Sequence, residues 1–577
     1  MNIHRYYFDT LVIGSGLAGL RAAIECKEKG SVAVFSKLYP TRSHSIAAQG
    51  GIGAALGNEE PDDPEWHYYD TVKGSDYLGD QDAIEVMCYE AIPTIIELEH
   101  MGVPFSRTKE GKIAQRRFGG HTKEFGKAPV RRACYSADRT GHCVLFALFE
   151  QSVAKKVTFF EEFQVVDIII ENNEAQGLIA INIKTGELYV FESKAIVVAC
   201  GGYGKVFKVT SNAYSTTGEC LSMLFEQGLP LEDMEFFQFH PTGLYRLGIL
   251  ITEGARGEGG VLINGKGERF MEAYAPTLKD LAPRDLIARA ILTEIREGRG
   301  INGKDYVYLD LRHIPKKVLQ ERLPEITTFC KVYLGIDPSE APIPVVPTAH
   351  YAMGGIPTDY NGRVRKNEKD EFVVGLYSAG ECACVSVHGA NRLGCNSLLD
   401  TVVFGRRAGK SVCKDLPHLP RGKVPKERIE KVVSFIEWIR NNQGKETVSQ
   451  IRRDLQSMMM DKCSVFRDEK GLKELIEDLK GIRERFKKIK INDKSLCFNT
   501  ELLEAIELYH MINLAEAIAV SALQRTESRG AHYRKDYPQR DDANWLKHTF
   551  IFKKDGNFVF KYRPVKILKF KPQARVY

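Results

Sequence analysis

The stretch FDTLVIGSGLAGLRAAIECKEKG, residues 8–30, decides the fold. An apolar run, FDTLVI, stops at a glycine turn, and apolar residues then recur at helical spacing from Leu17, with Gly30 expected as the helix stop. VAVFSK follows as a second strand. Gly14, Gly16 and Gly19 form G-x-G-x-x-G between strand and helix, with Ser15, Leu17 and Ala18 between them. Such glycines serve a tight turn, close passage of a pyrophosphate, and helix packing, while the helix N-terminus offers amides to the phosphates. The predicted unit is the opening of a dinucleotide-binding fold.

Two more apolar strands end in the same manner. KAIVVACGGYG stops at Gly201, Gly202 and Gly204, and FVVGLYSAGECA stops at Ala379, Gly380 and Glu381. Strands so far apart that share one ending predict a single nucleotide domain interrupted by an insertion. The expected division is 1–230 and 350–415 for a Rossmann-like α/β domain, with 231–349 as the insertion. A helical domain over 425–540 and a small β-containing tail over 541–577 follow. Asp555-Gly556 inside HTFIFKKDGNFVFKYRPVKI is a hairpin signal.

Composition excludes several classes. The 81 basic and 75 acidic residues of the 577 leave +6, too diffuse for a nucleic-acid face. No apolar run is expected to reach the ~18–20 residues of a membrane span. The N-terminus runs straight into a strand without a leader pattern, which predicts a cytoplasmic protein. The closest cysteine pair, Cys382 and Cys384, lacks the spaced partners of a zinc or iron–sulfur site, so no metal is expected and buried free thiols are.

The usual ribose-binding acid is missing at the end of the second strand, where Ser36 and Lys37 stand; this weakens an NAD reading more than an FAD one. Glu381 is a second candidate contact. A helix expected to begin at Asn396, with Ser397 and Leu398 in its first turn, would place its positive end toward a flavin and stabilise the reduced ring. YPTRSHSIAAQGGIGAA, residues 39–55, sets His44 between Ser43 and Ser45, ahead of Gly50 and Gly51. Small residues at that density allow a backbone to mould around a ligand.

RSHSIAAQGG, FFQFHPTG, TEGARGEGG, PRD, PTAHYAMGG, HGANRLG and ESRGAH, in that order from Asp9 almost to the C-terminus, resemble the flavoprotein subunit of succinate dehydrogenase and quinol:fumarate reductase. The resemblance implies FAD bonded covalently through His44, a feature that separates the chain from L-aspartate oxidase. It implies His240, Thr252, His350 and Arg392 as substrate binders, with Phe118 and Gly120 walling the site. Arg392 and His350 would hold one carboxylate of succinate or fumarate, and His240 and Thr252 the other.

The proton is expected to move through Arg284, relayed by Glu253 and Arg256. A guanidinium is a poor base at neutral pH and an easier acid. The insertion would be an α+β capping domain. Electrons would leave for an iron–sulfur partner subunit that alone holds clusters, then for a quinone in a membrane anchor, which places the chain peripherally on the cytoplasmic face of the inner membrane.

Glu219 and Cys220 replace a usual Asp-Gly near the flavin, and Cys395 a usual small residue. Other readings are a soluble fumarate reductase or aspartate-oxidising relative, and a flavin-bearing nucleic-acid scaffold that the dispersed charge disfavours. YVYLDLRHIPKKVLQERLP and LKHTF lean toward fumarate reductases, RTGHC and DDANW toward the dehydrogenase, and the balance falls to the dehydrogenase.

Overall fold

The computed structural model describes residues 2–576. Strand Thr10–Ile13 lies in the middle of a ten-stranded sheet, parallel to Val32–Ser36 on one side and to Ala195–Val198 on the other. Ala195–Val198 in turn pairs in parallel with Phe372–Ser378, with Ile196 opposite Leu376. All three glycine-terminated strands are therefore neighbours, although 185 and 175 positions separate Leu11 from Ile196 and Val198 from Val373. Thr10–Ile13 and Ala195–Val198 are buried throughout and Phe372–Ser378 is buried from Gly375 onward, as continuous apolar runs require. Helix Leu17–Cys26 ends four residues before Gly30, at the Lys27 cap, and Gly30 instead lies against the Asp9 side chain. It packs on Asn396–Asp415, where Gly405 and Gly409 leave room for the backbone of Ala18 and Ala22.

A separate four-stranded antiparallel sheet runs in the order Phe237–Leu244, Ile343–Ala352, Val307–Asp310, Val261–Ile263. Its own core includes Leu244, Leu262, Ile287, Ile291, Leu309 and Val345. Helix Arg284–Arg296 lies against its first two strands. The short strand Leu231–Glu232 stands outside this sheet and pairs with the C-terminal hairpin, Leu231 opposite Ile551.

Four long helices follow: Lys426–Asn441, Val448–Lys462, Glu469–Phe486 and Thr500–Gln524. Thr447, Asp468 and Asn499 cap the last three by accepting backbone N–H bonds in their first turns. Leu472, Leu475, Leu479, Ile482 and Phe486 form the buried stripe of the third. Thr500–Gln524 corrects one expectation: it is long and apolar enough to cross a membrane by length and composition, yet 78% of its most apolar window is buried inside the protein. It is hydrophobic all round because it is surrounded. The hairpin Lys547–Lys554 and Asn557–Pro564 turns at Asp555-Gly556, both with positive φ, as its sequence predicts. Cys382 and Cys384 are buried free thiols.

Candidate active site

At the end of strand Thr10–Ile13 the chain turns through Gly14 at φ +111°, where a Cβ would stand 2.1 Å from the Ala199 carbonyl oxygen. Helix Leu17–Cys26 starts there with no acidic residue in its first turn, so its positive end is uncompensated. Gly16 passes close to Ser43 and Ser45, and the Leu17 N–H donates to Ser45 Oγ at 3.3 Å. The glycine turn and the His44 loop thus form opposite walls of one cavity of about 890 Å³, which also takes in Gly201, Gly202, Glu381, Ser397 and Leu398. That volume lies at the upper end of the usual range for cofactor sites of roughly 300–1,000 Å³. A second helix, Asn396–Asp415, also presents a first turn without acidic residues to it.

The donor set fits a flavin dinucleotide. Two helix N-termini suit anionic parts of such a cofactor. Gln49 Oε1 and Asn212 Oδ1 line the cavity as buried acceptors with no hydrogen-bond partner. Burial alone would leave such atoms costly, so they point to a ligand that donates. His44 accepts the Ala213 N–H on Nδ1 at 3.2 Å, and its Nε2 lies 3.3 Å from Asn212 Nδ2. Burial and then Lys205 push the imidazole down to about 4, so it is neutral at physiological pH. Glu381 accepts the Ala352 N–H at 3.0 Å, and burial pushes its carboxyl up to about 7.

Several expected cofactor contacts are placed differently. Lys37 and Glu219 line the cavity but are ion-paired to each other, and Lys37 Nζ also reaches Glu507 at 2.8 Å. A buried ammonium needs counter-charges, and these carboxylates outweigh the cost of its burial. Ser36 Oγ bonds Ser15 Oγ at 2.7 Å. Asn396 does not line the cavity: its side chain holds His67 Nε2 at 2.9 Å and Thr71 Oγ1 at 3.0 Å, anchoring the helix start. Gly19 packs under the Gly14 carbonyl. Gly50 and Gly51 also lie off the cavity, Gly50 against Phe118 and Gly51 against the Cys134 carbonyl.

His350 is the only one of the expected substrate binders that lines this cavity. Its ring meets His240 edge-to-face at 5.1 Å, and behind them lies a closed, charged cluster. Thr252, Glu253, Arg256, Arg284 and Arg392 are each no more than 6% exposed. Arg284 Nε donates to Glu253 Oε2 at 2.7 Å, Arg256 Nη2 lies 3.8 Å from the same oxygen, and the Gly119 N–H donates to Glu253 Oε1 at 2.5 Å. Arg256 also donates to the Asp280 carbonyl at 2.5 Å, and the Asp280 carboxylate pairs with half-exposed Arg269.

His240 Nδ1 accepts the Thr242 N–H at 3.2 Å, which leaves the proton on Nε2. That Nε2, Arg392 Nε and Arg256 Nε and Nη2 are buried without hydrogen-bond partners. Burial, and then Arg284, holds both His240 and His350 well below the ordinary histidine range. Burial and then Arg284 lower Arg392 to about 9, and its guanidinium lies over the Tyr351 ring at 4.5 Å. Among Arg256, Arg284, Arg392 and Glu253, positive charges exceed negative by two around the neutral histidines. Phe118 is buried against Gly50 and Gly394, and Gly120, at φ +80°, against Leu393.

Gln49, Asn212 and Gln238 escaped the sequence reading. Gln238 accepts from Arg284 Nη1 at 3.1 Å and donates to the Arg392 carbonyl at 2.8 Å and to Asn391 Oδ1 at 3.0 Å. It ties the two arginine segments together. Its place two residues before His240, on the same face of one strand, was the available signal.

Residues 9–398 match the family described as FAD binding domain, and 452–577 the one described as fumarate reductase flavoprotein C-term. The succinate dehydrogenase flavoprotein subunit of Rickettsia bellii is 52% identical over 573 residues, 98% of this chain and 96% of that one. The chain belongs to the succinate dehydrogenase and fumarate reductase flavoprotein family. The Coxiella burnetii succinate dehydrogenase flavoprotein subunit is 50% identical over 97% of this chain and 96% of its own. A variant Escherichia coli quinol fumarate reductase chain superposes with a TM-score of 0.93 at 39% identity, covering 100% of this chain and 99% of that one. These identities set the protein on the dehydrogenase side of the family, as an FAD-binding oxidoreductase subunit of that type of complex.

Proposed function

We propose that this chain oxidises succinate to fumarate, with FAD joined covalently to His44. The observation that carries the reading is the buried excess of two positive charges, edged by unpartnered N–H groups, next to a flavin-sized cavity. A four-carbon dianion neutralises that excess, and burying it there satisfies the orphaned donors. Arg392 and His350 would grip one carboxylate, His240 Nε2 and Thr252 the other.

Bound FAD supplies the hydride acceptor. Arg284 handles the proton of the neighbouring carbon, and Glu253 and Arg256 link it toward Asp280 and the surface. Gln238 keeps the Arg284 fork in register with Arg392. Phe118 and Gly120 exclude water, which strengthens every charge interaction inside. His44 would carry the flavin through Nε2, because Nδ1 is occupied by the Ala213 N–H. An imidazole substituted at Nε2 keeps its lone pair on Nδ1, the arrangement this contact requires.

In this reading residues 231–349 are the capping domain that brings His240, Thr252 and Arg284 over the flavin, with His350 just past its last residue. Electrons pass to an iron–sulfur subunit and a quinone-binding membrane anchor, which hold the chain at the cytoplasmic face of the inner membrane. The test is direct. Succinate should bleach the flavin absorbance of the purified complex, and acid precipitation should carry yellow fluorescence down with this chain; colour left wholly in the filtrate rejects the His44 bond, and no bleaching rejects the substrate.

A further inference from the structure

Beyond Pro564 the chain leaves the hairpin and crosses the outside of the nucleotide-binding region as an extended strap. Gln81 Oε1 accepts the N–H groups of Leu568, Lys569 and Phe570, and its Nε2 donates to the Phe570 carbonyl at 2.6 Å. The Phe570 ring fits edge-on between Tyr68 and Tyr69, with centroids 5.0 and 5.3 Å away. Five residues beyond Phe570 the path reaches a defined ion pair.

Arg575, with its side chain 10% exposed, sets Nη2 at 2.9 Å from both Asp285 oxygens and Nη1 at 3.1 Å from Asp76 Oδ2. Asp76 follows helix Pro64–Gly74, on the flavin side, and also takes Arg540 at 2.9 Å and the Gly530 N–H at 2.8 Å. Asp285 is the second residue of helix Arg284–Arg296, which packs on the four-stranded sheet. One guanidinium therefore spans two carboxylates that belong to the two bodies enclosing the substrate cluster. Asp285 is joined by a single peptide bond to Arg284, whose 2.7 Å contact with Glu253 leaves little slack.

We propose that Arg575 is a positioning residue for the reaction: it pins the Arg284 helix to Asp76 and so fixes where the Arg284 guanidinium stands. The inference rests on Arg284 handling the substrate proton. A single buried cation between two carboxylates suits the task, because its charge-assisted hydrogen bonds draw both toward one point. Displacement of a reacting group by about 1 Å costs up to ~100-fold in rate even when caused from a distance.

The test uses the whole complex carrying Arg575→Gln or Arg575→Lys. Arg575→Gln should slow succinate-driven flavin bleaching at saturating succinate about tenfold, with KM within about twofold and flavin content unchanged. Amide hydrogens of residues 285–290 should exchange faster in the same variant, and Arg575→Lys should recover most of both effects. Unchanged exchange overturns the proposal, as does a normal bleaching rate, or a loss that Lys does not rescue and that follows flavin loss. If the unaltered complex fails to bleach with succinate, the reading of function falls, and the exchange result alone decides whether Arg575 pins the helix.

Discussion

The cavity between Gly14 and His44 and the arginine cluster behind it share His350 but are built on opposite principles. The cavity is made of backbone: a glycine at φ +111°, two helix N-termini, and short hydroxyl side chains that fit a phosphate or a ring without bringing net charge. The cluster is made of long charged side chains converging from strand Phe237–Leu244, helix Arg284–Arg296, strand Ile343–Ala352 and the turn around Arg392. Backbone sites depend on local geometry and resist any added atom. Side-chain sites depend on long-range register and respond to changes of charge. A tightly held group suits the first kind of site, and one that must come and go suits the second.

The comparison breaks first at Arg284. Arg284→Lys keeps the charge but loses the fork that meets Glu253 and Gln238, so turnover should fall by about 10²–10⁴-fold, the range for a lost acid–base group, with flavin content unchanged. Stopped-flow bleaching against flavin absorbance checks it. Arg392→Gln should lower kcat/KM about 10–100-fold, as expected when a charge-assisted bond to a carboxylate is lost, again with full flavin. Gly14→Ala reverses the pattern. Its Cβ has no room beside Ala199, so flavin per chain should drop at least about tenfold, read as the 450-nm-band-to-protein ratio, while the arginine cluster stays intact.

The smallest effect sharpens the comparison inside the cavity. Burial raises the Glu381 carboxyl to about 7, above its ordinary value of 4.5. The folded, flavin-free chain thus holds a proton that the unfolded chain loses, and this contribution to stability is present at pH 4 and lost as pH rises through 7. Glu381→Gln removes the loss. The thermal midpoint of the flavin-free variant should exceed that of the unaltered chain by about 1–3 °C at pH 8 and by nothing measurable at pH 4.

What was legible divides along the same line. Strand, turn and helix around Gly14 follow from contiguous residues, so the neighbouring strands and the cavity lining from Gly14 to Ala18 could be read directly. Asn396 could not: its position at a helix start is legible, but the His67 and Thr71 partners that turn its side chain away lie more than 320 residues earlier. Lys37 and Glu219 read as cofactor contacts because nothing local reveals that each neutralises the other. The arginine cluster rested on motif resemblance, since a lone arginine carries no local mark of burial. Gln238 lay unread beside His240 because an amide that bridges two arginines is visible only when both have been brought to it. Helix Thr500–Gln524 shows the converse, since burial within the protein and a span of lipid demand the same apolar composition.

The triad of Lys37, Glu219 and Glu507 sets an order of events during synthesis. A ribosome releases the nucleotide-binding strands early, but the second counter-ion of Lys37 emerges 470 residues later. Until then a nascent chain holds this ammonium with one carboxylate instead of two in the wall of its cofactor pocket, and so distant a closure is slow to form. Translation that stops short of Glu507 leaves that wall unfinished, which ties final maturation of the cofactor pocket to near-completion of the polypeptide.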